Sequence, residues 1–234
     1  MDVTNVFDAC FTGHTEPVEE WIRTGGNPNA RRGNGSTLLC VACKHNAGYL
    51  GVVEVLLKAG ADANTQGKHR RTPLSNACES GDSKLVELLL KFKADPEYLD
   101  DNGATSLHIA CENGLSEVVE ILLRHGADPN KKLPRDCTPL HQAVYKQDHR
   151  SIIALIDAGA DQCAKDFFGK MPMEYANSST FTAVAHAMNE RHKKEVSIVA
   201  TACIDRIGQH SPAHHFAQDT FLLNTLFEVL MTHI

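Results

Sequence analysis

Thr105-Ser106-Leu107-His108-Ile109-Ala110 and Thr138-Pro139-Leu140-His141-Gln142-Ala143 are two copies of one pattern, and that repetition decides the fold. Toward the N-terminus the series continues as Thr72-Pro73-Leu74-Ser75-Asn76-Ala77 and Thr37-Leu38-Leu39-Cys40-Val41-Ala42. Thr4-Asn5-Val6-Phe7-Asp8-Ala9 and Met171-Pro172-Met173-Glu174-Tyr175-Ala176 are degenerate copies at the two ends. First positions therefore fall at 4, 37, 72, 105, 138 and 171, in steps of 33, 35, 33, 33 and 33. A second block keeps phase with the first: Gly25-Gly26-Asn27, Gly60-Ala61-Asp62, Lys93-Ala94-Asp95, Gly126-Ala127-Asp128 and Gly159-Ala160-Asp161. Two blocks held in register over this many copies mark an internal repeat.

Each unit has a physical reading. The hydroxyls of Thr72 and Thr138 can accept from the free N–H groups of a first helical turn, and Pro73 and Pro139 occupy the first helical position, where proline is tolerated. A glycine-bearing turn, Ser80-Gly81-Asp82 or Asn113-Gly114-Leu115, leads into a second apolar-periodic helix such as Val118, Val119, Ile121, Leu122 and Leu123. The Gly-Ala-Asp block stops that helix, and the polar residues after it form a hairpin-like finger. One helix pair cannot bury its apolar face alone, so the copies must stack into a solenoid with one continuous core.

The units resemble ankyrin repeats, most closely Thr138-Pro139-Leu140-His141-Gln142-Ala143 and Gly126-Ala127-Asp128-Pro129-Asn130. The fold this predicts is an all-α ankyrin-repeat α-solenoid of about six repeats plus C-terminal helices. The repeat domain is expected over 1–193, with repeats at about 1–31, 32–66, 67–99, 100–132, 133–165 and 166–193. The first repeat lacks the Pro and His, and the last keeps Pro172 but loses the capping Thr, as suits capping ends. Two extra residues within 46–51 of the second repeat should enlarge its inter-helix turn and expose Tyr49.

Composition and chemistry narrow the function. Lys and Arg number 23 against 29 Asp and Glu, a net charge of −6, so bulk charge asks for neither a nucleic-acid nor a membrane-surface partner. The opening Met1-Asp2-Val3-Thr4 has no leader character and no apolar run approaches the ~20 residues of a spanning helix, so a cytoplasmic or nuclear protein is expected. Cys10, Cys43, Cys78 and Cys111 follow the motif alanine in successive units and form a file of small core residues. Stacked helices lie ~8–10 Å apart, too far for disulfides along that file. Cys40 and Cys43 make a Cys-x-x-Cys inside a helix with no second ligand pair, so metal and redox roles are minor readings. The run 210–215, with three histidines, reads as a polar loop. No phosphate loop, nucleophile elbow or zinc-protease helix is present in the sequence, so neither catalysis nor a cofactor is expected. The resemblance implies that His108 and His141 tie turns together by hydrogen bonds. It also places Asn29, Asn64 and Asn130 where some family members are hydroxylated.

Function then rests on surface. The second and third residues after each motif alanine point away from the stack: Lys44 and His45, Glu79 and Ser80, Glu112 and Asn113, Tyr145 and Lys146. Finger tips are expected at Gly33-Asn34, Lys68-His69, Asp101-Asn102, Pro134-Arg135 and Phe167-Phe168. The resemblance implies that the two sets line a concave face that binds a partner protein. Charges around the tips suggest basic, acidic and basic patches in series, from Lys68, His69, Arg70 and Arg71, through Asp100 and Asp101, to Lys131, Lys132 and Arg135. The partner set is therefore one or more proteins, with acidic segments suited to the basic tips, and the chain is expected to be a monomer on its own. Phe167, Phe168 and Tyr145 are the hot-spot candidates, joined by Lys146, Asn102 and the tip charges.

Residues 194–234 leave the repeat. Val196, Val199, Ala200, Cys203 and Ile207, then Leu223, Leu226, Phe227, Leu230 and Ile234, keep helical spacing around a loop at 210–216. This two-helix extension either covers the end of the solenoid over Ala183, Val184, Ala187 and Met188, or docks a second protein. In the second case the chain is a two-sided adaptor, for example a ubiquitin-ligase substrate adaptor, which the position of the extension resembles. No diagnostic box motif accompanies it.

Overall fold

The computed structural model describes residues 3–44, 49–180 and 182–184, which lie within the first of two units, 1–185 and 186–234. The expected C-terminal helices, His45, Ala187 and Met188 lie outside the described residues. Five helix pairs follow one another: α1 (Val3–Thr12) with α2 (Thr15–Arg23), α3 (Leu38–Ala42) with α4 (Leu50–Lys58), α5 (Pro73–Ser80) with α6 (Ser83–Lys91), α7 (Ser106–Asn113) with α8 (Ser116–Arg124), and α9 (Pro139–Tyr145) with α10 (His149–Asp157). The sixth copy opens as a 3-10 helix, Pro172–Tyr175. The first helices of the pairs stack α1–α3–α5–α7–α9, with Pro172–Tyr175 next on α9. The second helices stack α2–α4–α6–α8–α10 in a parallel layer.

Capping residues set the register. Thr72 and Thr105 accept from the backbone N–H three residues on, at 3.2 and 3.4 Å, whereas the hydroxyl of Thr138, also expected to cap in this way, pairs with His141 Nδ1 at 2.9 Å. Helix α4 ends with Gly60 at φ 88°, its N–H on the Leu57 carbonyl and the Ala61 N–H on that of Leu56, so two terminal carbonyls are satisfied. Lys93 replaces glycine at the matching point of the third unit and adopts φ 61°. Between the layers one core runs from Val6 and Phe7 through Leu56, Leu74, Leu89, Leu107 and Leu122 to Leu140, Ile152 and Leu155, all fully buried. Cys10, Cys43, Cys78 and Cys111 sit in it as free thiols, and burial holds the Cys10 thiol up at about 12. Val184 joins the same core, and Ala183 is half-buried.

Tyr49 of the second unit departs from expectation. Tyr49 is half-buried, not exposed, because its ring fills the space over Gly13, where a Cβ would stand 2.0 Å from a ring carbon. Gly13 has φ 79°, so the missing side chain serves both the turn and the ring.

Candidate partner-binding face

Each finger is closed by a backbone hydrogen bond across its tip: Arg32 N to Ser36 O, Gly67 N to Arg71 O, Asp100 N to Ala104 O, Leu133 N to Cys137 O and Asp166 N to Lys170 O, at 2.8–3.0 Å. The tips then lean on one another. Arg31 donates to the Gln66 carbonyl at 3.1 Å, the Asp101 N–H to the His69 carbonyl at 3.2 Å, and the Phe167 N–H to the Arg135 carbonyl at 3.0 Å. Between the third and fourth fingers, a Cβ added to Gly103 would lie 3.0 Å from the Pro134 ring. The five tips thus form one continuous ridge beside the exposed ends of α3, α5, α7 and α9.

The turn chemistry differs along the ridge. The carboxylates of Asp100 and Asp166 each accept from two N–H groups inside their own finger, from residues 102 and 104 and from 168 and 170. The second finger has Gly67 at that position and lacks such a brace, and both His69 and Arg70 take positive φ, 59° and 55°. Two adjacent left-handed residues other than glycine each cost about 1 kcal/mol, yet they turn Lys68, His69 and Arg70 outward.

Among the expected site residues, Lys68, His69, Arg70, Asp101, Asn102, Arg135, Tyr145, Lys146, Phe167 and Phe168 are exposed. Arg71 is not: it is half-buried and paired with Glu79. The acidic patch also shrinks, because Asp100 is buried and committed to its turn, while the Asp101 carboxylate lies 3.4 Å from His69 Nδ1. In the expected basic–acidic–basic series the acid is thus the single exposed carboxylate of Asp101, and in the fourth finger Lys131 is half-buried and Lys132 pairs with Asp136 at 3.8 Å. Phe167 and Phe168 are 72% and 73% exposed and meet each other edge to face, centroids 5.6 Å apart. Tyr145 is 73% exposed on the last turn of α9.

Beside Tyr145 lies a cleft of about 370 Å³, lined by Glu112, Cys137, His141, Gln142, Tyr145, Lys146, Asp166 and Tyr175. Tyr175 donates to Asp166 at 2.6 Å, which pushes its hydroxyl up to about 12 and holds the Asp166 carboxyl below the usual range. Lys170 stands 5.1 Å over the Tyr175 ring. His141 ties α9 to the fifth finger, with Nδ1 on Thr138 and Nε2 on the Lys170 carbonyl at 3.1 Å. His108 makes the same Nδ1 contact with Thr105, but its Nε2 closes no hydrogen bond. Among the described residues its only counterpart is Gln142 Oε1, another buried polar atom without a partner.

Tyr175 and Gln142 were not singled out in the sequence. Both directly precede their motif alanine, as Asn76 does, and Asn76 reaches back to the Cys40 carbonyl at 3.1 Å. That phase marks the residue wedged between neighbouring inner helices. After the Gly-Ala-Asp blocks, Asn29, Asn64 and Asn130 bridge successive units. Each accepts from the aspartate N–H of the next Gly-Ala-Asp block (a lysine starts the block after Asn64), at 2.7–2.8 Å, and donates to the carbonyl of the residue that opens it.

No group of three or more His, Cys, Asp or Glu able to hold a metal ion occurs among the described residues, and no described helix is long and apolar enough to cross a membrane. The family model for ankyrin repeats matches in three overlapping copies, over residues 6–98, 45–133 and 75–166. Among curated proteins, the mouse (Mus musculus) protein named Ankyrin repeat and SOCS box protein 16 is 33% identical over 86 residues. That match takes in 34% of this chain and 19% of the mouse protein, so the chain spans about a fifth of that relative's length.

Proposed function

The chain belongs to the ankyrin-repeat family, whose repeats are protein-interaction modules, and from that premise we propose that it is a scaffold holding a partner protein against its finger tips and inner-helix ends. The observation that carries this reading is the ridge itself: five adjoining tips, ending in two phenylalanines that contact solvent over nearly three quarters of their surface. Exposed aromatics at such a density serve as anchors, since a tip facing only water is ordinarily polar. Lys68, Arg70 and Arg135 suit acidic segments of the partner. Buried thiols with no disulfide among the described residues suit a cytoplasmic or nuclear site.

A photo-crosslinking side chain placed at Phe168, at Tyr145 and at Lys91 on the outer layer tests the reading. Partner crosslinks at 168 and 145 and none at 91 support it. Crosslinks at 91 alone overturn it.

A second reading, the two-sided adaptor, is favoured by the mouse relative, whose name joins ankyrin repeats to a second element, and by the amphipathic spacing of 194–234 beyond the matched repeats. Deleting 194–234 separates the two. Loss of a captured protein with the melting temperature unchanged supports the adaptor; a lowered melting temperature with capture intact supports a covering role.

A further inference from the structure

The two ends of the ridge differ in chemistry, and the difference dictates what lies across them. At the second finger, a cleft of about 430 Å³ is lined by Arg32, Lys44, Lys68, His69 and Arg71 on the basic side and by Asp100 and Asp101 on the acidic side. Three of the carboxylates close to it are engaged: Asp8 with Arg32 at 2.9 Å, Glu79 with Arg71, and Asp100 with two backbone N–H groups, while the Asp101 carboxylate lies 3.4 Å from His69 Nδ1. Lys44, Lys68 and Arg70 are exposed and make no ion pair among the described residues. In a chain of net charge −6 this cationic excess is local. At the fifth finger the exposed aromatic groups are Phe167 and Phe168, flanked by the exposed Lys165 and Lys170, with Tyr145 across the neighbouring cleft, and Asp166 there is taken up by Tyr175 and its own turn. The tips between, Asn102 and Arg135, are polar.

We propose that the occupant of this face is an extended, bipolar segment of a partner protein, with carboxylates at the end over Lys44, Lys68 and Arg70 and apolar or aromatic side chains at the end against Tyr145, Phe167 and Phe168. The proposal rests on the reading of the ridge as the binding face. Three repeat steps of ~10 Å separate the second finger from the fifth, roughly 30 Å. An extended chain advances ~3.3 Å per residue, so about nine residues separate the acidic and apolar groups. The acidic end is the salt-sensitive one; the apolar end is not.

Selection of a displayed library of random peptides about 16 residues long, long enough for that span, tests it. The targets are the full chain, a K44E/K68E/R70E variant and an F167S/F168S variant, each checked for native helicity by circular dichroism. Expected for the native chain are peptides with an acidic cluster and an apolar cluster separated by about nine residues. Such peptides should lose about tenfold in affinity on either variant, with salt sensitivity vanishing only in the charge variant. Peptides that crosslink to 145 and 168 but carry no such separation overturn the bipolar occupant and leave the binding face standing. Peptides that crosslink elsewhere overturn the face itself. Absence of any enriched peptide overturns the bipolar occupant too, because segments of that chemistry are in the library.

Discussion

His108 is fully buried, and burial holds its imidazole down at about 4 against an ordinary 6.5. The unfolded chain therefore binds this proton at a pH where the folded chain does not. Its neutral state supports folding above about pH 6.5, and stability is lost as pH falls from there toward 4. At pH 5 the penalty is about 2 kcal/mol. Urea denaturation of the native chain and of His108→Gln at pH 7.5 and 5 should show that share of the acid loss absent from the variant; parallel losses would contradict it. Gly13 makes a second prediction at this scale. Gly13→Ala forces a methyl into the Tyr49 ring at a left-handed position and should cost roughly 1–3 kcal/mol in the same measurement.

Between elements, asparagine side chains tie one unit to the next. Asn64 takes the Asp95 N–H at 2.7 Å and gives its amide to the Lys93 carbonyl at 3.1 Å, binding one unit to the next. Glu97 occupies the same position one unit on and accepts from the Asp128 N–H at 3.0 Å. A carboxylate has no proton to return. Asn64→Ala should therefore cost about 1 kcal/mol and Glu97→Ala less, measured by thermal unfolding, since only the first bridge is two-way.

Register, capping threonines, fingers and the cysteine file were legible in the sequence because they are local or strictly periodic. What was not legible depends on neighbours a full repeat away. Asp100 reads as a surface charge until its turn is seen to consume it, Arg71 until Glu79 is found beside it, and Tyr49 until Gly13 makes room. The tips Asp101-Asn102, Pro134-Arg135 and Phe167-Phe168 fell where the period put them. The cleft under Tyr145 did not emerge, because Tyr175 reaches it from a repeat whose helix has shortened to a 3-10 turn.

Across the described repeats, stacking joins separate tips into one continuous face, which the proposed function takes as the binding surface. No single finger presents enough surface for a stable complex, whereas five in contact offer charge at one place and aromatic area at another. The solenoid core supplies the rigidity: buried leucines under the ridge fix the spacing of the tips, so on the proposed reading a partner would meet a preformed surface. The measurement that bears most directly on this is affinity capture from cell extract by the native chain and by the F167S/F168S variant, after circular dichroism has shown that both fold. Loss of a captured protein, by at least about tenfold, is the predicted result and places the binding face on the finger ridge. Capture that is unchanged would contradict it.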